Sequence, residues 1–147
     1  MTRYFATATL LYKLVMQSAE DDELDPAVPL WATCLGHQAV SDIAAGGFDV
    51  LDEFDSEGLE LPLELTDAAE ESKLFSAMPS DIKDSLIRAN LTTNWHHFGI
   101  SPATFEALVA PEGFTLLSTN VGLQGKTFTS TMEHSSAPVT TVQVSSG

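Results

Sequence analysis

The sequence is poor in positive charge and poorer still in cysteine, and each shortage excludes something. Six Lys and Arg stand against 21 Asp and Glu, a formal net charge of −15. Holding a nucleic-acid backbone requires clustered Lys and Arg, so no DNA or RNA partner is expected. An anionic membrane surface would repel such a chain as well. A single cysteine cannot form an intrachain disulfide, which excludes a disulfide-stapled scaffold. No apolar run approaches about eighteen residues, so no transmembrane helix is expected. Nine Gly and seven Pro are too few for a collagenous or low-complexity chain.

What is present is 44% apolar, which fits one core-burying domain over residues 1–147. The acids are unevenly spread: 16 of the 21 lie between Glu20 and Glu71, and no Lys or Arg occurs between Lys13 and Lys73. Runs such as Glu20-Asp21-Asp22-Glu23 read as solvated loops, because the Gly and terminal Glu of a calcium-binding EF-hand are not at their spacing. Residues 2–15 are apolar after one Arg, but Lys13 interrupts them. Tyr4, Ala8, Leu11, Leu14 and Val15 recur at helical spacing, which predicts an internal amphipathic helix rather than a targeting segment.

Further along, residues 28–33 form a short apolar run that predicts a strand buried on both faces. Residues 36–45 have helical character and stop at Gly46-Gly47. Residues 59–65 alternate apolar and polar, as in a strand with one wet face and Pro62 at an edge or bulge. A helix is expected from Pro79-Ser80 to about residue 89 with Ser80 as its cap, and a shorter one from Ser101-Pro102 to about 109. Residues 92–100, 114–119, 126–132 and 139–144 are β-prone, and Gly122 and Gly125 mark a hairpin between the second and third. The alternation predicts an α/β fold with antiparallel additions. The strand at 28–33 should be central, yet only a helix precedes it, which anticipates a missing N-terminal part.

The lone cysteine falls between that strand and the next helix, in Ala32-Thr33-Cys34-Leu35-Gly36-His37-Gln38. A sharp turn there would expose a nucleophile at the carboxyl edge of the sheet, and Gly36 would let the helix turn tightly and pack on the strand. The backbone N–H of Leu35 would point towards the reacting centre as part of an oxyanion hole. From the residues alone, a buried thiol at an ordinary strand end is the other reading.

The string T-C-L-G-H-Q resembles the nucleophile elbow of class I glutamine amidotransferases and their relatives, with Ala32 where a Gly is usual. Within that superfamily the chain resembles the γ-glutamyl hydrolases. Asn94-Trp95-His96-His97-Phe98-Gly99 matches an N-F-H-K-W-S-like stretch, and Leu117-Ser118-Thr119-Asn120-Val121-Gly122 an L-T-T-N-x-D-G-like one. Phe128-Thr129-Ser130-Thr131-Met132-Glu133-His134 is similar to F-I-S-T-M-E-G. Pro138-Val139-Thr140-Thr141-Val142-Gln143 follows P-V-x-x-V-Q.

This resemblance implies an α/β, flavodoxin-like three-layer sandwich of the glutamine amidotransferase-like class, incomplete at both ends. It implies hydrolysis of γ-glutamyl bonds in folylpoly-γ-glutamates through a thioester on Cys34, with Leu35 N–H as oxyanion donor. His96 and Gln38 carry over as substrate-pocket residues. No cofactor or metal is expected, since adjacent His96 and His97 cannot both reach one ion from a strand. The implied partner is the small-molecule folylpolyglutamate, with neither nucleic acid nor membrane, and a homodimer is left open. The implied compartment is secreted, lysosomal or vacuolar. The family's catalytic His follows V-Q in V-Q-W-H-P-E, where this chain has Ser145, and an upstream Pro-Gly-Gly segment that contributes to the oxyanion hole is absent. His37 is expected to pack at the helix start and His134 to lie in a surface loop. Three functional readings follow: a γ-glutamyl hydrolase, an inactive relic or gene-model fragment without turnover, and a glutamine amidotransferase domain. The S-T-M-E and N-W-H segments disfavour the last.

Overall fold

The computed structural model describes residues 2–21, 23 and 27–144. The first helix, α1, spans Arg3–Glu20 and is capped by Thr2, whose hydroxyl accepts the Phe5 N–H at 3.3 Å. It runs past residue 15 because no helix breaker stands in residues 16–20. Strand β1 (Leu30–Thr33) leads into α2 (Leu35–Ala44). The expected stop after α2 is present: Gly46 and Gly47 take φ of 79° and 83°, values that an L side chain resists.

Short pieces follow: β2 (Asp52–Glu53), β3 (Leu59–Leu61) and β4 (Glu64–Leu65), a 3-10 turn over Asp67–Glu71, α3 (Lys73–Ser76) and α4 (Ser80–Arg88). The expected strand at 59–65 is therefore two strands, broken at Pro62-Leu63, and they join different sheets. Pro79, not Ser80, is the cap of α4, its carbonyl accepting the Ile82 and Lys83 N–H groups. Next come β5 (Thr92–Asn94), β6 (Phe98–Gly99) and α5 (Pro102–Thr104), which widens into a π-turn over Phe105–Val109 and tightens into a 3-10 turn over Ala110–Glu112. Ser101 caps α5 as expected, accepting the Thr104 N–H at 3.2 Å. Three strands end the described chain: β7 (Phe114–Val121), β8 (Thr127–His134) and β9 (Val139–Val142).

The main sheet has the order β1-β9-β8-β7-β4, and two-stranded ribbons form from β2 with β6 and from β3 with β5. Only β1 and β9 pair in parallel; the other pairings in the main sheet are antiparallel. Apolar side chains pack on both faces. On one, Val15 of α1 and Val40 and Ala44 of α2 meet Met132, Val139, Phe105 and Phe114. On the other, Leu63, Ala69 and Phe75 pack with Leu117. The chain is thus mixed α/β with helical segments against both sides of the sheet.

One expectation is overturned here. Strand β1 is not buried on both faces: it is the outermost strand among the described residues, with Ala32 alone buried and Trp31 58% exposed.

Candidate functional site

Cys34 is the only non-glycine residue among those described with positive φ, at φ 52° and ψ −107°. That backbone is unfavourable for any side chain and persists only when its surroundings fix it. Here they do. Its N–H donates to Val142 O on β9 at 2.8 Å, continuing the β1 ladder, while its C=O accepts the Gln38 N–H at 3.1 Å and opens α2. The same residue ends the strand and begins the helix, so the turn is abrupt. The first-turn N–H groups of α2, Leu35 first, have no acceptor within the helix and point back across the elbow. Gly36 permits a close approach: a Cβ there would stand 3.1 Å from the Ala32 Cβ, tighter than ordinary van der Waals contact. Strand, strained cysteine and glycine-seated helix are therefore arranged as an elbow, and Cys34 is partly exposed on it.

His37, one residue after that glycine, turns inward and is fully buried. Its Nδ1 lies 2.6 Å from Thr141 Oγ1 and its Nε2 3.1 Å from Thr129 Oγ1, tying α2 to β9 and β8. Burial, with nearby His96 adding to it, pushes the imidazole down to about 3, so it is neutral at pH 7. The expectation that it packs at the helix start holds.

Gln38 and His96 are brought together. Gln38 Nε2 donates to Phe98 O at 2.8 Å, and His96 Nδ1 reaches the same carbonyl at 3.0 Å. His96 also has its Nε2 3.3 Å from Asn94 Oδ1, and its ring stands edge-on to Phe128 at 4.8 Å. Ser56 donates to the His96 carbonyl at 2.6 Å. Burial drives His96 down to about 4 despite its bond to Phe98. Its neighbour His97 points the other way, exposed, 2.9 Å from Glu57. Beside this cluster an open cleft of about 410 Å³ is lined by Phe54, Asp55, His97, Phe98 and Lys126, among others. Ser56 and the Phe98 carbonyl carried no sequence signal, since a backbone acceptor is invisible in residue types.

His134 corrects its expectation. It is buried rather than on a surface loop, because it ends β8 beneath Gly113. A Cβ at Gly113 would lie 2.7 Å from the His134 Nε2. That nitrogen donates to Glu112 O at 3.0 Å, and Nδ1 accepts the Ala137 N–H at 2.9 Å. Gln143, which follows the residue bonded to Cys34, is fully buried, and its side-chain amide has no hydrogen-bond partner among the described residues. Ser145, the position of the expected base, lies outside the described residues. Among those described, no group of three or more His, Cys, Asp or Glu is placed to hold a metal ion, and no helix is long and apolar enough to cross a membrane.

No family model matches the chain. Individual proteins do. Gamma-glutamyl hydrolase B of Dictyostelium discoideum is 36% identical over 138 residues, covering 93% of this chain and 39% of that protein. The gamma-glutamyl hydrolase of Mus musculus is 33% identical over 142 residues, 95% of this chain and 43% of its own length. Gamma-glutamyl hydrolase 1 of Arabidopsis thaliana is 28% identical over 136 residues, 91% and 39%. The chain thus spans about two-fifths of the length of these relatives. Over the residues it shares with them, the chain is similar to gamma-glutamyl hydrolases.

Proposed function

We propose that this chain carries the nucleophile side of a γ-glutamyl hydrolase site, built on Cys34, within one unit (residues 1–147) of the glutamine amidotransferase-like, flavodoxin-like class. The observation that carries the reading is the positive φ of Cys34 at the strand-to-helix elbow. The relatives' names supply the bond class, and folylpoly-γ-glutamates are the substrate. The Cys34 sulfur attacks the γ-carbonyl carbon, and the Leu35 N–H receives the negative charge that develops on the carbonyl oxygen. The C–N bond breaks, the amine leaves with a proton, and water hydrolyses the thioester to free the glutamyl carboxylate and the thiol. Gln38 and His96, joined through the Phe98 carbonyl, shape the pocket for the glutamyl group.

The proton transfers need a base that titrates near neutrality. His37 and His96 are held neutral by burial with values near 3 and 4, His97 points away from the Gln38–His96 cluster, and His134 is bonded at the far end of β8. This favours a second reading in which the chain as it stands reacts at Cys34 but does not turn over. Loss of one member of a catalytic set costs several orders of magnitude.

Two measurements test the pair. A γ-glutamyl chloromethyl ketone is expected to alkylate Cys34 faster than iodoacetamide does, with no adduct in Cys34→Ala. Equal rates with the two reagents would remove the glutamyl pocket from the proposal. With a γ-linked diglutamate, no measurable glutamate release is expected. Robust release abolished by Cys34→Ala would show that another residue serves as base.

A further inference from the structure

The turn that joins β8 to β9 is held from inside by one side chain. His134 stands where the F-I-S-T-M-E-G pattern ends in Gly, so that pattern assigns it no role. Its ring ties together two separate turns of the chain. Nε2 lies 3.0 Å from Glu112 O in the turn before β7. Nδ1 lies 2.9 Å from the Ala137 N and 3.3 Å from the Ser136 N, in the turn after β8. A carbonyl only accepts and a backbone N–H only donates. The ring is therefore fixed as the neutral tautomer with its proton on Nε2.

That ring has no second seat. Gly113 closes over one side of it, and Phe114 stands edge-on with centroids 5.1 Å apart. A proton on Nδ1 turns the acceptor into a donor aimed at two other donors, and a ring so enclosed cannot turn to find a carbonyl for it. What can yield is the turn itself, where Ser135 and Ser136 are exposed to water. One bond in it does not depend on the ring, from the Ser135 N–H to Gly113 O at 2.9 Å.

The charged groups around the ring come from four elements. Lys73 of α3 reaches the His134 carbonyl with Nζ at 3.1 Å and opposes a cation there. Glu112 lies in the turn before β7, and the Glu133 carboxylate is engaged by the Lys73 and Leu74 N–H groups. Tyr12 of α1 stacks on Phe114, and burial raises its phenol above the ordinary value, so it is neutral. Burial lowers the His134 imidazole from its ordinary value, with Lys73 adding to it, although the bond to Glu112 O acts the other way. The folded chain thus favours the neutral ring. Its contribution is present above about pH 6.5 and is lost as pH falls through the lowered folded value.

We propose that His134 is a proton-operated latch on the β8–β9 turn: neutral, it holds residues 135–137 against the turn before β7, and protonated, it releases them. The latch is independent of the chemistry proposed for Cys34. The test is amide hydrogen exchange of the full chain by nuclear magnetic resonance, with the His134 ring nitrogens titrated in the same nitrogen-labelled sample between about pH 7.5 and 5. Protection of the Ala137 and Ser136 amides is expected to fall by about tenfold as Nδ1 takes its proton. The Thr129 amide, which donates to Ile100 O at 2.9 Å at the opposite end of β8, should keep its protection. His134→Gln keeps an acceptor that does not titrate, and should make Ala137 protection independent of pH. If that variant fails to fold, the parent chain decides alone. A fall in Ala137 protection whose midpoint differs from that of Nδ1 would overturn the proposal. Equal losses at Ala137 and Thr129 would mean general unfolding and would overturn it too, as would a folded His134→Gln that still shows the fall.

Discussion

Strands β8 and β1 invert the usual relation between composition and burial. β8 reads Thr-Phe-Thr-Ser-Thr-Met-Glu-His, with two apolar side chains in eight, yet all but Thr127 are buried. β1 reads Leu-Trp-Ala-Thr, three apolar in four, yet only Ala32 is buried. Position in the sheet decides: β8 lies between β7 and β9, whereas β1 has one neighbour among the described residues. A polar strand survives there because its side chains are answered. Thr129 meets His37, Ser130 donates to Asn120 Oδ1 at 2.7 Å, and Thr131 accepts from Ser118 at 2.8 Å. Glu133 accepts the Lys73 N–H at 2.8 Å and the Leu74 N–H at 3.2 Å, closing the first turn of α3. An unanswered buried polar group costs about 1–3 kcal/mol, so this strand tolerates little change.

The largest break in the comparison is expected at Phe128, the fully buried aromatic of β8 that meets both Phe54 and His96 edge-on. Phe128→Ala should destabilise by about 3–5 kcal/mol in urea unfolding, through lost apolar burial and the cavity left behind. A loss under about 1 kcal/mol would mean that the β8 surroundings collapse to fill the space. Next in size is Glu133→Ala. It strands two backbone donors near a buried strand and should cost about 2–3 kcal/mol. Glu133→Gln, which keeps one acceptor, should cost less; equal costs for the two variants would assign the effect to packing rather than to the cap.

The third effect sharpens the comparison through pH. His37 and His96 have folded values near 3 and 4, below the unfolded value of about 6.5. The unfolded chain therefore binds protons first as pH falls. Their contribution is fully present above about pH 6.5 and is lost progressively down to about 4 for His96 and about 3 for His37. The slope is up to about 1.4 kcal/mol per pH unit for each histidine. His37→Asn should flatten the decline of unfolding free energy between pH 6 and 4, and an unchanged slope would place the acid sensitivity in other groups.

The elements that were legible in the sequence are those governed by neighbours along the chain. The stop at Gly46-Gly47, the Ser101-Pro102 start and the β7–β8 hairpin need only local geometry, and the elbow at Cys34 is read from a strand pattern, a small residue and a helix start. What escaped is set across the sheet. The pairing of β1 is set by a partner some 109 residues away, in the register Leu30↔Val139. His134 looked like loop because its burial comes from Gly113 closing over its ring. The S-T-M-E segment carried much of the family likeness. In the structure its Glu133 serves the architecture by capping α3. Gln38 and His96 are each visible as residue types, while the Phe98 carbonyl that joins them belongs to a backbone no motif records.

The smallest effect is expected where composition is most apolar. Trp31→Thr should change unfolding free energy by about 1 kcal/mol or less. Trp31 is 58% exposed, so most of its apolar area is already in water and contributes nothing to monomer stability. A β-branched residue also keeps the strand propensity of the position. A cost of several kcal/mol would show that β1 is held by its side chains rather than by its ladder to β9. Burial in β8 and exposure in β1 would then no longer separate the two strands energetically.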